Sequence, residues 1–133
     1  MVDVKKYVIL IVDDDDALRN TIVFDFKRKG FNVLSADNGA AAFEVVKQNK
    51  IDLVLSDIRM PGGDGMSLLE SIRKYNSKIP VVIFATGFAD YTEDECISKG
   101  ALKVLTKPFD RAVLLSSVMK ALEVVDSSRE VRL

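Results

Sequence analysis

Five short apolar runs, each followed by a longer stretch of helical periodicity, constrain this chain more than any other feature. The first run, Val8-Ile9-Leu10-Ile11-Val12, has no polar interruption. Such a run reads as a strand covered on both faces, the habit of a parallel sheet. Ala17 to Lys29 follows it, with Leu18, Ile22 and Phe26 on one helical stripe and Gly30 where a C-terminal cap belongs. Phe31 to Ala36 reads as the second strand. Asn38 to Lys50 reads as the second helix, with Gly39, Ala42, Phe43 and Val46 on one face and Asp37 or Asn38 as its cap. Asp52 to Ser56 is the third strand, and Met66 to Tyr75 the helix after it, with Leu68, Leu69 and Ile72 inward. Pro80 to Ala85, a polar helix from Asp90 to Lys99, Ala101 to Thr106, and a helix from Asp110 to Val125 complete the series. Strand and helix alternate five times. The expected fold class is therefore α/β, a doubly wound parallel sheet with helices on both faces in three layers.

The bulk numbers agree with one globular domain. The 133 residues are 48% hydrophobic and 29% charged, with a net charge of −1. No basic footprint advertises nucleic acid, and no apolar run approaches the ~18 residues that a membrane span needs. Met1 to Lys6 lacks the small-residue cleavage site of a signal peptide, so the expectation is a cytoplasmic protein. There is no histidine, which excludes a Ser-His-Asp triad, a histidine base and histidine metal ligands. The one cysteine, Cys96, excludes a disulfide framework and a thiolate zinc site within one chain, and reads as a small half-buried residue. Any metal must be held by oxygen, which points to magnesium, calcium or manganese.

In a doubly wound sheet, ligands bind at the carboxyl ends of the strands. The first strand delivers Asp13 and Asp14 there, the third Asp57, the fourth Thr86 and the fifth Lys107. Asp15 and Asp16, next in the four-carboxylate run, serve the following helix as cap and first-turn acids. Three carboxylates, a hydroxyl and an ammonium on one edge describe a site for a divalent cation and a phosphoryl group. With no histidine present, a carboxylate is the attacking group, and an aspartyl phosphate is an established type of covalent intermediate.

The segments VDDD at 12–15, SDIRMPGGDG at 56–65, Thr86-Gly87 and Lys107-Pro108-Phe109 resemble the receiver domain of two-component response regulators, over about Tyr7 to Val125. Asp57-x-x-Met60-Pro61 is the most specific of these pieces. The resemblance implies a flavodoxin-like (βα)5 sandwich with strand order 2-1-3-4-5, the order known for the chemotaxis member of this fold. It implies that Asp57 accepts a phosphoryl group from a sensor histidine kinase or a histidine phosphotransfer protein. Magnesium would be held by Asp13, Asp14, Asp57 and the Arg59 backbone carbonyl, and Thr86 and Lys107 would contact the phosphoryl group. The Lys107–Pro108 bond would be cis. The receiver would occupy residues 1–126, with 127–133 a polar tail or the start of a linker. The output would be binding of an unknown domain or protein, without direct contact to nucleic acid or membrane, by a monomer or a weak phosphorylation-dependent dimer.

Three departures from the family pattern stand out. Val104 occupies the position where the family carries an aromatic switch ring. Phe88 and Arg59 are large groups at positions that border the site. Val104 has little room to swing, so Phe88 is the expected mobile group beside Thr86. Two other functions compete. A phosphohydrolase of haloacid-dehalogenase type would carry an acid two residues after its nucleophile, where this chain has Arg59. A receiver that binds partners without phosphorylation would not need the full set of Asp13, Asp14, Asp57, Thr86 and Lys107.

Overall fold

The computed structural model describes residues 3–87 and 91–130. A short 3-10 turn, Val4–Lys6, leads into β1 (Val8–Val12), α1 (Asp16–Arg28), β2 (Asn32–Ala36), α2 (Gly39–Gln48) and β3 (Leu53–Ser56). The chain continues through α3 (Gly65–Tyr75), β4 (Val81–Thr86), α4 (Glu93–Ser98), β5 (Lys103–Thr106) and α5 (Arg111–Glu130). All strands are parallel, in the order β2-β1-β3-β4-β5, as the resemblance implied. The order reverses between β1 and β3, so the carboxyl ends of these two neighbours flank the natural ligand crevice of the fold.

Side chains alternate across the sheet, and this alternation makes two cores. Ile9, Ile11, Leu53, Leu55, Ile83 and Ala85 meet Ile22 and Phe26 of α1 and Leu114, Val118 and Leu122 of α5. Leu10, Val12, Val54, Val82 and Phe84 meet Ala42 and Val46 of α2, Leu69 and Ile72 of α3, and Cys96 of α4. Every residue of β3 and β4 is buried, which is why these strands read as unbroken apolar runs. The edge strands β2 and β5 are half open to solvent. They are also shorter at their amino ends than their sequence suggests: β2 starts at Asn32 rather than Phe31, and β5 at Lys103 rather than Ala101.

Helix ends follow their caps. The Asp15 side chain accepts from the Leu18 amide, Asn38 from Ala41, and Asp64 from Ser67. Gly30 and Gly100 adopt positive φ directly after α1 and α4, the left-handed conformation that glycine accepts without strain. Three expectations need correction. Helix α4 spans six residues, because a Thr92–Glu95 capping box fixes its start at Glu93. Helix α5 runs on to Glu130, past the Val125 at which its apolar stripe ends. Cys96 is fully buried rather than half-buried. Asp90 lies outside the described residues.

Candidate functional site

Strand β1 ends at Val12, and the next residue, Asp13, is 3% exposed. Its Oδ1 accepts from the Asp15 amide at 2.9 Å and its Oδ2 from Lys107 Nζ at 2.9 Å. The Arg19 guanidinium donates to the Asp13 carbonyl at 2.7 Å, tying α1 to the same turn. Asp57 follows β3. Its amide donates to the Val12 carbonyl at 2.9 Å, so the two strand ends are held side by side. Its Oδ1 accepts from the Ile58 amide at 2.7 Å, and its Oδ2 accepts from Lys107 Nζ at 3.0 Å. One ammonium therefore bridges two carboxylates. Lys107 is itself aimed by its main chain: its amide donates to the Thr86 carbonyl at 2.8 Å, and the Lys107–Pro108 bond is cis.

Charge and burial oppose each other here. Burial pushes the Asp13 carboxyl up; the Asp15 amide and Lys107 pull it back, and the balance leaves it above its ordinary value. Burial pulls the Lys107 ammonium down, but its bonds to Asp13 and Asp57 outweigh that, and it is held above its ordinary value. The charged pair is thus kept, at a cost borne chiefly by Asp13.

Asp14 is exposed, and one carboxylate oxygen each from Asp13, Asp14 and Asp57 lie within 4.8 Å of one another. Opposite ligands of an octahedral magnesium ion stand about 4 Å apart, since each sits about 2 Å from the metal. The donor set is all oxygen, as a hard cation requires, and it fits such an ion. Two ligand oxygens at the same spot already hold Lys107, so a cation and the ammonium share a single acidic nest.

Glycines shape the loop after Asp57. Gly65 has no space for a side chain, because a Cβ there would lie 2.4 Å from the Asp57 carbonyl oxygen. Gly39, the first residue of α2, donates its amide to the Gly63 carbonyl at 2.9 Å, and a Cβ on Gly39 would stand 2.7 Å from that oxygen. The loop is thereby strapped to α2, a contact between two distant glycines that no local pattern announces.

The structure brings together Asp13, Asp14, Asp57 and Lys107, and it buries Thr86, 5% exposed, at the end of β4, where its carbonyl accepts from the Lys107 amide. Arg59 is exposed, in the turn after Asp57. Val104 is half-buried on β5 and pairs in register with Phe84, two residue pairs before Thr86 and Thr106. Phe88 lies outside the described residues.

Among the described residues no helix is long and apolar enough to cross a membrane. The family model for the response regulator receiver domain matches residues 9–119. The regulatory protein AtoC of Escherichia coli is 36% identical over 125 residues, covering 93% of this chain and 27% of AtoC. The chain thus spans about a quarter of the length of such relatives. A CheY-like receiver domain from Methanospirillum hungatei superposes with a TM-score of 0.86 at 26% identity, over 92% of this chain and 98% of that one. A chain in the CheX-CheY-BeF3-Mg2+ complex from Borrelia burgdorferi superposes with a TM-score of 0.81 at 32% identity, over 87% of this chain and 89% of that one. Sheet order, acidic strand ends and family match converge: this chain belongs to the response regulator receiver domains of two-component signalling, a family of phosphorylation-dependent switches.

Proposed function

We propose that Asp57 is the phosphoacceptor of this receiver, that the donor is a phosphohistidine of a sensor kinase or phosphotransfer protein, and that the phosphorylated form changes its binding to a partner. An Asp57 carboxylate oxygen forms a bond to phosphorus as the bond from phosphorus to the donor nitrogen breaks. The electron pair leaves with the donor imidazole. The observation that carries this reading is the Lys107 ammonium held between Asp13 and Asp57, next to Asp14, at the carboxyl ends of two adjacent strands. Asp13, Asp14, Asp57 and the Arg59 carbonyl would hold magnesium, which would neutralise charge on the phosphoryl oxygens.

The chain's own residues divide the remaining work. The Ile58 amide fixes one Asp57 oxygen and so sets the orientation of the carboxylate. Lys107 screens the approach of a dianion to an acidic nest and then pairs with the phosphoryl group as a point charge. The Thr86 hydroxyl supplies a donor to a phosphoryl oxygen. In this reading the receiver unit occupies residues 1–126, within the last turns of α5. The relatives include transcriptional regulators several times longer than this chain, so the output belongs to a partner or a further domain. In this reading the protein acts in the cytoplasm, as a monomer or a weak phosphorylation-dependent dimer.

The test uses acetyl phosphate, magnesium and intact-mass spectrometry. The parent chain should gain one phosphoryl group and Asp57→Ala none. Equal labelling of both would remove Asp57 from the role. Turnover of a small phosphoester beyond one equivalent would instead favour a phosphohydrolase.

A further inference from the structure

The two poles of this fold carry opposite charge, and the reason is topological. Each helix starts at the carboxyl ends of the strands and finishes at their amino ends. Acids gather at the first pole, where Asp15 and Asp64 cap α1 and α3 and Asp13, Asp14 and Asp57 form the nest. Lysines gather at the second. The helix dipole favours cations there, but only within the last turn. It accounts for Lys47, which lies in the last turn of α2 and pairs with Glu44 at 2.7 Å. It does not account for Lys50 and Lys78, which lie beyond Asn49 and Asn76, the C-caps of α2 and α3. Both lysines are exposed, and among the described residues neither has an ion-pair partner.

These two lysines border one hollow. It has a volume of about 460 Å³, lies between the ends of α2 and α3, and has Ile51, Ile79 and Pro80 among its walls. Tyr75 stands on it, 57% exposed. The Tyr75 ring meets Phe43 edge-on, with centroids 6.0 Å apart, and Lys47 Nζ lies 4.9 Å from the Phe43 centroid. The tyrosine is thus held in place while most of its surface stays open. Asn76 fixes the turn that carries Lys78: its Oδ1 accepts from the Lys78 and Ile79 amides at 2.9 and 3.0 Å. A second hollow of about 650 Å³ shares Asn49 and Lys50 with the first and runs past Lys27 to Phe31 and Leu34, beside the edge strand β2. Among the described residues no acid lines either hollow. Asp52, next to Ile51 in the chain, is 1% exposed, and its carboxylate accepts from the Val8 amide.

We propose that this amino-end pole is a docking groove for an acidic peptide segment of a partner protein, an extended stretch in which aspartates or glutamates flank an apolar residue. The apolar residue packs on Ile51, Ile79, Pro80 and the Tyr75 ring, and the flanking carboxylates pair with Lys50 and Lys78. The lysines select the sign of the partner. The apolar walls and the tyrosine supply the affinity that exposed ion pairs alone do not. The same walls favour a peptide over nucleic acid, which is held through phosphate contacts along a basic face, and the opposite pole of this domain is acidic. The groove lies at the far end of the sheet from Asp57. Docking therefore needs no phosphoryl group, and the proposal stands apart from the phosphoacceptor reading.

The probe is a short fluorescein-labelled peptide with one leucine between glutamates, titrated with the full chain and read by fluorescence anisotropy. It should bind the parent, with an affinity that falls as salt is raised. Exchange of its glutamates for lysines should abolish binding, and exchange of its leucine for serine should weaken binding about tenfold. Lys50→Glu with Lys78→Glu should also abolish binding. Tyr75→Ala should weaken it about tenfold, and Lys50→Arg with Lys78→Arg should retain it. Each variant should keep the far-ultraviolet circular dichroism of the parent, so that a loss of binding is not a loss of fold. Failure of the parent to bind the glutamate peptide would overturn the proposal. So would unchanged binding in Lys50→Glu with Lys78→Glu. Tighter binding of duplex DNA than of the peptide, lost in that same variant, would overturn it in favour of nucleic acid. Self-association of the parent in sedimentation, also lost in that variant, would give the groove to a second copy of this chain instead.

Discussion

Two aspartates are buried at opposite ends of the same central strands, and they have opposite surroundings. Asp52, 1% exposed, precedes β3. Its carboxylate accepts from the Val8 amide at 2.8 Å, its amide donates to the Val8 carbonyl at 3.0 Å, and its carbonyl accepts from Val81 at 3.1 Å. One residue thus stitches the starts of β1, β3 and β4 with main-chain partners. Asp13, 3% exposed, has a main-chain amide for one oxygen and Lys107 for the other, with two more carboxylates close by. The first arrangement is closed by the fold. The second concentrates negative charge that the fold does not neutralise, and such an end is where a cation and an anion can be accepted together. Burial of an acid therefore says little about its job; the partners decide it.

The largest expected effect separates the two ends outright. Asp57→Ala should lose all labelling by acetyl phosphate, whereas Asp52→Asn should label at the parent rate, read by intact mass. Labelling lost in Asp52→Asn with its fold intact would break the comparison.

Stability should move in opposite directions. Asp52→Ala strands the part-buried Val8 amide, which costs about 1–3 kcal/mol, and a drop in Tm of several degrees should follow. Asp13→Asn with Asp14→Asn relieves like-charge crowding and removes a carboxylate whose charged form the fold disfavours. That variant should melt above the parent without magnesium and should not label. The sign with pH follows from the raised value of Asp13. The folded state holds its proton more readily than the unfolded state, so its contribution falls as pH rises from 3.8 through the folded value. The advantage of Asp13→Asn should therefore shrink as pH is lowered through that window. Lys107 behaves in the opposite sense: its contribution is present below pH 10.5 and is lost as pH rises through its elevated folded value. Lys107→Ala should remove that alkaline loss, measured by denaturant melts across pH.

Smaller effects sharpen the picture at the loop and at α4. Gly39→Ala pushes a Cβ against the Gly63 carbonyl. It should slow labelling by shifting the loop after Asp57, without abolishing it. Thr92→Ala removes the α4 cap, worth about 0.5–2 kcal/mol to that helix, and should raise amide exchange over Glu93–Ser98 alone.

How far the sequence reached follows from the same physics. The central strands were legible because burial on both faces demands an unbroken apolar run, and their ends pointed to Asp13, Asp57 and Thr86; Lys107 follows the edge strand β5. The bounds of β2 and β5 were less legible, because edge strands mix apolar and polar residues. The extent of α5 was missed because helical hydrogen bonds continue into Asp126–Glu130 after the apolar stripe has ended. Asp52 read as an ordinary strand start, since nothing local signals that its carboxylate reaches Val8. The Gly39–Gly63 strap joins residues that only the tertiary fold brings together.

The most direct test of the contrast between the two buried acids is the shift in Tm with magnesium, measured on three proteins: the parent, Asp13→Asn with Asp14→Asn, and Asp52→Asn. A ligand at a hundred times its Kd stabilises the folded state by about 2.7 kcal/mol. Magnesium should raise the Tm of the parent and of Asp52→Asn by the same increment, from different starting points, and should leave the double variant unmoved. An equal rise in the double variant would contradict the account, because the cation would then be held somewhere other than between Asp13, Asp14 and Asp57.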